Sequence, residues 1–291
     1  MNKNLWMRDI KVIPFLLPFL VVYIIFTILP VFKGLEMSFY DWSLIRKIEF
    51  VGFENYQKML FDPHFWRSLW NTTLFVILTT PTMVLLALGL ALLANLNSKL
   101  KTFFRTAFFL PSILSVAVIS FLAIFMLQPY TGLLNTGLHS IGIEAEPFWM
   151  ADKILSWVSI VVVTLWWSVG FNMVLFLAAL QEIPESLYEA SEIDGATRWE
   201  QFRYITIPQL IPIGRVVILL QILASYKVFA QILLITGGGP AGGTRPLIQY
   251  IYEVGFTQNN MGYAATMSYA LFYILLIISI IQLRSQRLKE S

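Results

Sequence analysis

The residues able to do chemistry are few, and they are badly placed for catalysis. Glu144, Glu146 and Asp152 fall close together and could trade protons as a general acid and base. Their setting, a polar connection between two apolar runs, fits a solvated loop better. His64 and His139 are the only histidines, far apart and without ligand spacing, so no metal site is expected. The chain has no cysteine, which excludes disulfides, thiolate catalysis and Cys-ligated metals. The run Thr236-Gly-Gly-Gly-Pro240-Ala-Gly-Gly-Thr244 superficially resembles a phosphate loop. It lacks the Gly-Lys-Ser/Thr ending and a preceding strand, so ATP binding by this chain is not expected. No nucleophile paired with a base appears, and the sequence shows no basic stripe suited to nucleic acid.

A second group of polar residues sits inside long apolar segments. These are Trp166, Trp167, Ser168 and Asn172; then Gln221, Ser225, Tyr226, Lys227 and Gln231; then Ser268, Tyr269 and Tyr273. Polar groups in a hydrocarbon slab are costly, so they face a cavity or a neighbouring helix. Aromatic faces with amides suit a sugar, whose ring stacks while its hydroxyls bond. Trp166, Asn172, Gln221, Ser225, Tyr226 and Ser268 are the candidate pathway residues. Hydrogen bonding between packed helices explains the same residues structurally. Lys227 is expected to snorkel to the outer interface.

These residues need spans to hold them. Of 291 residues, 57% are hydrophobic and only 13% charged, with a net charge of +3. Soluble domains carry about 25% charged residues, so the chain is expected to be an all-α polytopic membrane protein. Six apolar segments, about 13–31, 71–93, 107–127, 154–180, 211–235 and 264–283, each approach or exceed the roughly 20 residues of a spanning helix. Lys3, Arg8 and Lys11 precede the first, and no small-x-small cleavage site follows, so it is expected to stay as an anchor. Cations concentrate in one set of connections: those three residues, Lys99, Lys101 and Arg105, Arg198 and Arg203, and Arg284, Arg287 and Lys289. The positive-inside rule then puts both termini and the 181–210 connection in the cytoplasm.

That connection is polar where its neighbours are oily. Glu185, Glu189 and Glu192 share one helical face, and Leu187, Ala190 and Ser191 another. Asp194 and Gly195 end the helix, with Gly195 suited to a left-handed cap. Thr197 and Glu200 form a capping box for a second short helix, expected to run to about Thr206 and to present Trp199, Phe202 and Ile205. Pro208 and Pro212 are expected to close the unit and restart the chain as the fifth span. Two helices and a rigid exit are more than a solvated loop requires, which favours a docking surface.

The order Glu189-Ala190-Ser191-x-x-Asp194-Gly195-Ala196, followed by Phe202, Ile205, Ile207-Pro208 and Pro212, resembles the "EAA" loop of ABC importer permeases. The form is nearest the sugar-importer subunits of the maltose-transporter type. Ser191 stands where a second Ala is usual, and Ile207 where Leu is usual; both changes are small in volume. The first outer connection (Gly52, Asn55, Tyr56, Asp62, Phe65, Asn71, Thr72) also resembles the family. So does the Thr236–Thr244 run with Tyr252 and Phe256. The resemblance implies the type I importer permease fold, with N- and C-termini inside, in the cell membrane of a bacterium or archaeon. It implies a second, usually non-identical permease, two cytoplasmic ATPase subunits that bind the ATP and Mg²⁺, and an extracellular solute-binding protein. A sugar would be the small-molecule substrate. The loop's first helix, about 186–193, would dock on the ATPase, with Ser186, Glu189, Ala190, Ser191, Asp194, Gly195, Ala196, Phe202 and Pro208 as coupling residues. The rival is a secondary transporter or channel working without an ATPase. The absence of Asp or Glu from the span centres argues against proton coupling.

Overall fold

The computed structural model describes residues 13–95 and 101–287. Lys3, Arg8, Lys11, Lys99 and Lys289, on which part of the orientation argument rests, lie outside the described residues. The chain divides into two compact units. One comprises Met1–Phe65 with Ile251–Tyr273; the other comprises Trp66–Tyr250 with Ile274–Ser291.

In the first unit, α1 (Ile13–Tyr23), a π turn (Ile24–Ile28) and α2 (Leu29–Ser38) form one apolar span from Phe15 to Ser38. Its flanks are exposed along most of its length, as lipid or a partner helix would require. A hairpin follows, β1 (Tyr40–Trp42) antiparallel to β2 (Lys47–Phe50), then α3 (Glu54–Phe61). Asn55 explains the first outer motif. Its amide donates to the Ser38 carbonyl (3.1 Å) and to the Tyr40 carbonyl (3.0 Å), closing the end of α2. In the same unit Tyr263 donates to Asp62 at 2.7 Å.

In the second unit, α4 (Pro63–Asn95) packs its small residues Ala87, Ala91 and Ala94 into a core with Val169, Met173 and Phe176 of α8 (Lys153–Glu182). Leu210 and Val217 of α11 (Ile207–Tyr226) complete it. Small side chains at this spacing let helices approach where no hydrophobic effect drives them together. Between α4 and α8 lie α5 (Lys101–Ile113), α6 (Val116–Leu127) and α7 (Leu133–Ser140). After α8 come α9 (Glu185–Ile193) and α10 (Arg198–Gln201), which precede α11. Beyond α11 lie α12 (Ala230–Ile235) and α13 (Leu247–Tyr252). Then α14 (Met261–Arg287) supplies the last span. Among the described residues five helices are long and apolar enough to cross a membrane, or six if the α5–α6 pair is one span.

Three expectations are corrected. The segment 107–127 is not one straight helix: α5 and α6 meet at 102°. Pro111 lies in the last turn of α5, and Ser115, in extended backbone, caps α6 through the Val118 N–H. The Trp167 indole N–H reaches the Leu114 carbonyl freed at the break, at 3.1 Å. The segment 211–235 also breaks, between Tyr226 and Ala230. Val228 turns inward there to pack with Phe75, Ile160 and Ile232. Burying it outweighs the weak helix preference of Val and Phe. Third, Pro208 does not restart the chain. One helix runs from Arg198 to Tyr226, with a π turn at Phe202–Thr206 just before the proline. A proline cannot donate to the carbonyl four residues back and crowds it; a widened turn ahead relieves that conflict.

Asp152 starts α8, accepting from Leu155 N–H (2.9 Å) and Ile154 N–H (2.8 Å). These bonds, Leu155's first, hold its carboxyl below the ordinary value. The charged cap therefore adds stability above the unfolded carboxylate pKa and loses it as pH falls through the lowered folded value. Asp152→Asn is expected to melt below the parent at neutral pH, with the gap closing in acid. Thermal unfolding across pH measures this, and a gap independent of pH would refute it.

Candidate functional site

Two features stand out in the second unit: the polar loop, and a cavity between α5, α8 and α11.

In the loop, α9 ends in a Schellman motif. Ala196 N–H bonds the Ser191 carbonyl (2.9 Å), Gly195 N–H bonds that of Glu192 (3.0 Å), and Gly195 sits at φ +79°. The capping box of α10 forms as expected: Thr197 N–H donates to the Glu200 carboxylate at 2.7 Å, and Glu200 N–H to the Thr197 hydroxyl at 3.3 Å. The face shared by Leu187, Ala190 and Ser191 divides between the outside and the interior of the loop. Tyr188 and Ser191 turn in, while Leu187 and Ala190 are exposed. The Tyr188 hydroxyl lies 2.9 Å from that of Thr206, and the Gln201 amide donates to Ser191 at 3.0 Å. Ser191 thus supplies an acceptor that an alanine could not. These bonds tie α9 to the base of the long helix. Ser186, Glu189, Ala190, Asp194 and Gly195 stay exposed beside Ile193 and Trp199, whereas Ala196 and Phe202 are half-buried. Pro208 is exposed on the helix beyond the π turn. An exposed face on a rigid, braced base is suited to contact with another protein.

The cavity encloses about 460 Å³. Thr164, Ser168 and Asn172, spaced four apart on α8, line it with Trp167 and Phe171. Gln221, Ser225, Lys227 and Gln231 face it from α11 and beyond. Its amides form a chain: Asn172 donates to Gln221 (3.0 Å), Gln221 to Ser225 (3.0 Å), and the Ser225 and Thr79 hydroxyls lie 3.1 Å apart. The helix-packing and cavity-lining readings therefore both hold for Asn172, Gln221 and Ser225.

The other candidate pathway residues do not join them. Trp166 is 47% exposed, and Trp167, about 100° further round the helix, lines the cavity instead. Tyr226 is buried against Thr73, hydroxyls 3.4 Å apart. Ser268, in the first unit, spends its hydroxyl on the Ala264 carbonyl. Lys227 is exposed, as a snorkelling side chain would be, and it also borders the cavity just after the last turn of α11. Thr164 and Ser112 were not foreseen, although the four-residue spacing from Thr164 through Ser168 to Asn172 is visible in the sequence.

Elsewhere the potential chemistry is committed to structure. Glu146 accepts from Asn135 (2.9 Å) and lies 3.0 Å from His139. In the glycine-rich run, Thr244 donates to the Gly239 carbonyl at 2.6 Å. Asn71 anchors the run by donating to the Gly242 and Arg245 carbonyls, both at 3.0 Å.

Comparison with known proteins gives a consistent answer. Residues 63–288 match the family model "Binding-protein-dependent transport system inner membrane component". The lactose transport system permease protein LacF of Rhizobium radiobacter is 34% identical over 281 residues, covering 94% of this chain and 93% of that protein. The arabinooligosaccharides transport system permease protein AraP of Halalkalibacterium halodurans is 35% identical over 280 residues, covering 94% and 87%. A chain of the bacterial alginate ABC transporter, solved in complex with an alginate pentasaccharide-bound periplasmic protein, superposes with a TM-score of 0.83. It has 26% identity and covers 95% of this chain and 93% of that one. The braced polar loop, the apolar spans and these likenesses converge: the chain belongs to the inner-membrane component family of binding-protein-dependent transport systems, as a permease subunit of an ABC importer.

Proposed function

We propose that this permease forms one half of the pathway of an ATP-driven importer for a sugar or oligosaccharide, in the cell membrane of a bacterium or archaeon. Both termini and the 184–208 loop lie in the cytoplasm. There α9 docks on one of two ATPase subunits, which bind the ATP and Mg²⁺; this chain binds no cofactor. A second, non-identical permease completes the pathway, and a solute-binding protein delivers substrate from outside. The saccharide assignments of the relatives LacF and AraP support the substrate class.

The observation that carries this reading is the unbroken helix from Arg198 to Tyr226. One end is braced to α9 through Thr206 and Gln201; the other presents Gln221 and Ser225 to the cavity. Arg198 and Gln221 are about 35 Å apart along such a helix. Closure of the ATPases moves α9, the braces pass the movement to the helix, and the cavity walls shift. ATP selects between two states only through such a differential contact.

The test is uptake by the assembled importer in proteoliposomes, with ATP inside and loaded binding protein outside. Asn172→Leu with Gln221→Leu removes both members of a buried pair, which is close to neutral for folding. It also strips the polar contacts, so uptake is expected to fall by about tenfold. Unchanged uptake would remove both residues from the pathway. Uptake without ATP would favour the secondary transporter.

A further inference from the structure

Lys227 is the one charged residue among those lining the cavity, which otherwise presents hydroxyls, amides, aromatic rings and the aliphatic Leu220, Ala224 and Val228. Among the described residues no carboxylate pairs with it. It lies at the end of a spanning helix and is exposed there. Part of its role is structural, since a cation after the last turn complements the carbonyl end of α11. The residue also borders a cavity that holds Trp167, Asn172 and Gln221, within the size range of small-molecule sites. Hydroxyl and amide groups recognise the polyol, an aromatic face covers the ring, and the ammonium selects a negative group.

We infer that Lys227 is a specificity-determining residue, and that the solute is a saccharide carrying an anionic group, such as a uronate carboxylate. This rests on the saccharide reading above and narrows it. An anion on the sugar supplies the counter-charge Lys227 lacks, through a charge-assisted hydrogen bond about twice as strong as a neutral one. A neutral sugar gains no such bond, and that difference separates the two solutes.

The experiment uses the full importer, both permeases and both ATPase subunits in nanodiscs, arrested with ATP by a hydrolysis-deficient ATPase. Equilibrium binding of trigalacturonate is compared with that of maltotriose. The parent is expected to prefer trigalacturonate. Lys227→Met is expected to weaken trigalacturonate by at least about tenfold while leaving maltotriose unchanged. Lys227→Arg, which keeps the charge, is expected to restore most of the preference. A loss of both ligands with Lys227→Met and Lys227→Arg alike would mean a packing role and overturn the assignment. Equal binding of the two sugars by the parent would also overturn it, and would point to a carboxylate from the second permease as the partner of Lys227. If neither sugar binds, the saccharide reading fails and the narrower one with it; if maltotriose alone binds, only the narrower one fails.

Discussion

Gly195→Val is expected to abolish ATP-driven uptake while leaving the membrane core folded. Gly195 sits at φ +79°, and a Cβ there would meet nothing within 4 Å. The objection to a side chain is therefore backbone conformation alone. Left-handed backbone costs an ordinary L-residue roughly 1–2 kcal/mol and a β-branched one more. The loop has little with which to resist that strain. The carbonyl bonds of the Schellman turn are made by Gly195 and Ala196, and two side-chain pairs brace α9 to the long helix. Relaxing φ swings α9 away from α10 and breaks those braces. We expect uptake to drop to background and the ATPase subunits to co-purify less well, with the thermal midpoint of the core unchanged. Gly195→Asn, which tolerates left-handed backbone, is expected to keep much of the activity. Normal uptake by the valine variant would sink the assignment of this loop as the coupling element.

Gly170→Ala is expected to destabilise the permease itself. On exposed helical positions this exchange stabilises, by roughly 0.5–1 kcal/mol. At Gly170 the added Cβ would lie 2.3 Å from the Phe108 carbonyl oxygen and 2.7 Å from the Phe109 Cα. Both are backbone atoms of α5, which cannot rotate aside. The two helices must separate, and overpacking of that kind costs about 1–3 kcal/mol. The clash therefore outweighs the propensity gain. Separation also moves Phe109 relative to Trp167 and Phe171, three walls of the cavity, so solute binding should weaken along with the fold. Gly89→Ala is the control: nothing lies within 4 Å of its Cβ, and it should be neutral or slightly stabilising. Thermal unfolding of the purified complex compares the two. A Gly170→Ala protein as stable as the parent would mean that α5 is free to yield, and that close contact there is not required.

The same contrast separates what was legible in the sequence from what was not. Composition and apolar run length sufficed for a multi-span helical protein, because a lipid slab leaves the backbone few alternatives. The loop was legible to the residue at Gly195, Thr197 and Glu200, since caps are local: donor and acceptor lie within a few positions of each other. Periodicity could not say which face of α9 turns inward. Tyr188 and Ser191 are chosen by Thr206 and Gln201, and those partners arrive only when the chain folds back.

The helix breaks were lost for a related reason. The break after Ile113 is held by an indole from Trp167, and the one after Tyr226 by burial of Val228 among Phe75, Ile160 and Ile232. Trp167, Phe75 and Ile160 all lie far in sequence from the breaks they hold. The candidate pathway residues divide along the same line. Sequence identified amides and aromatics inside spans, but a helix presents successive residues about 100° apart, so only packing could choose Trp167 over Trp166. Only packing could bring Lys227 to the wall of a cavity. The sequence by itself determined the class of protein and the chemistry available to it. The tertiary structure decided which of those groups share a space, because that depends on contacts between helices far apart in the chain.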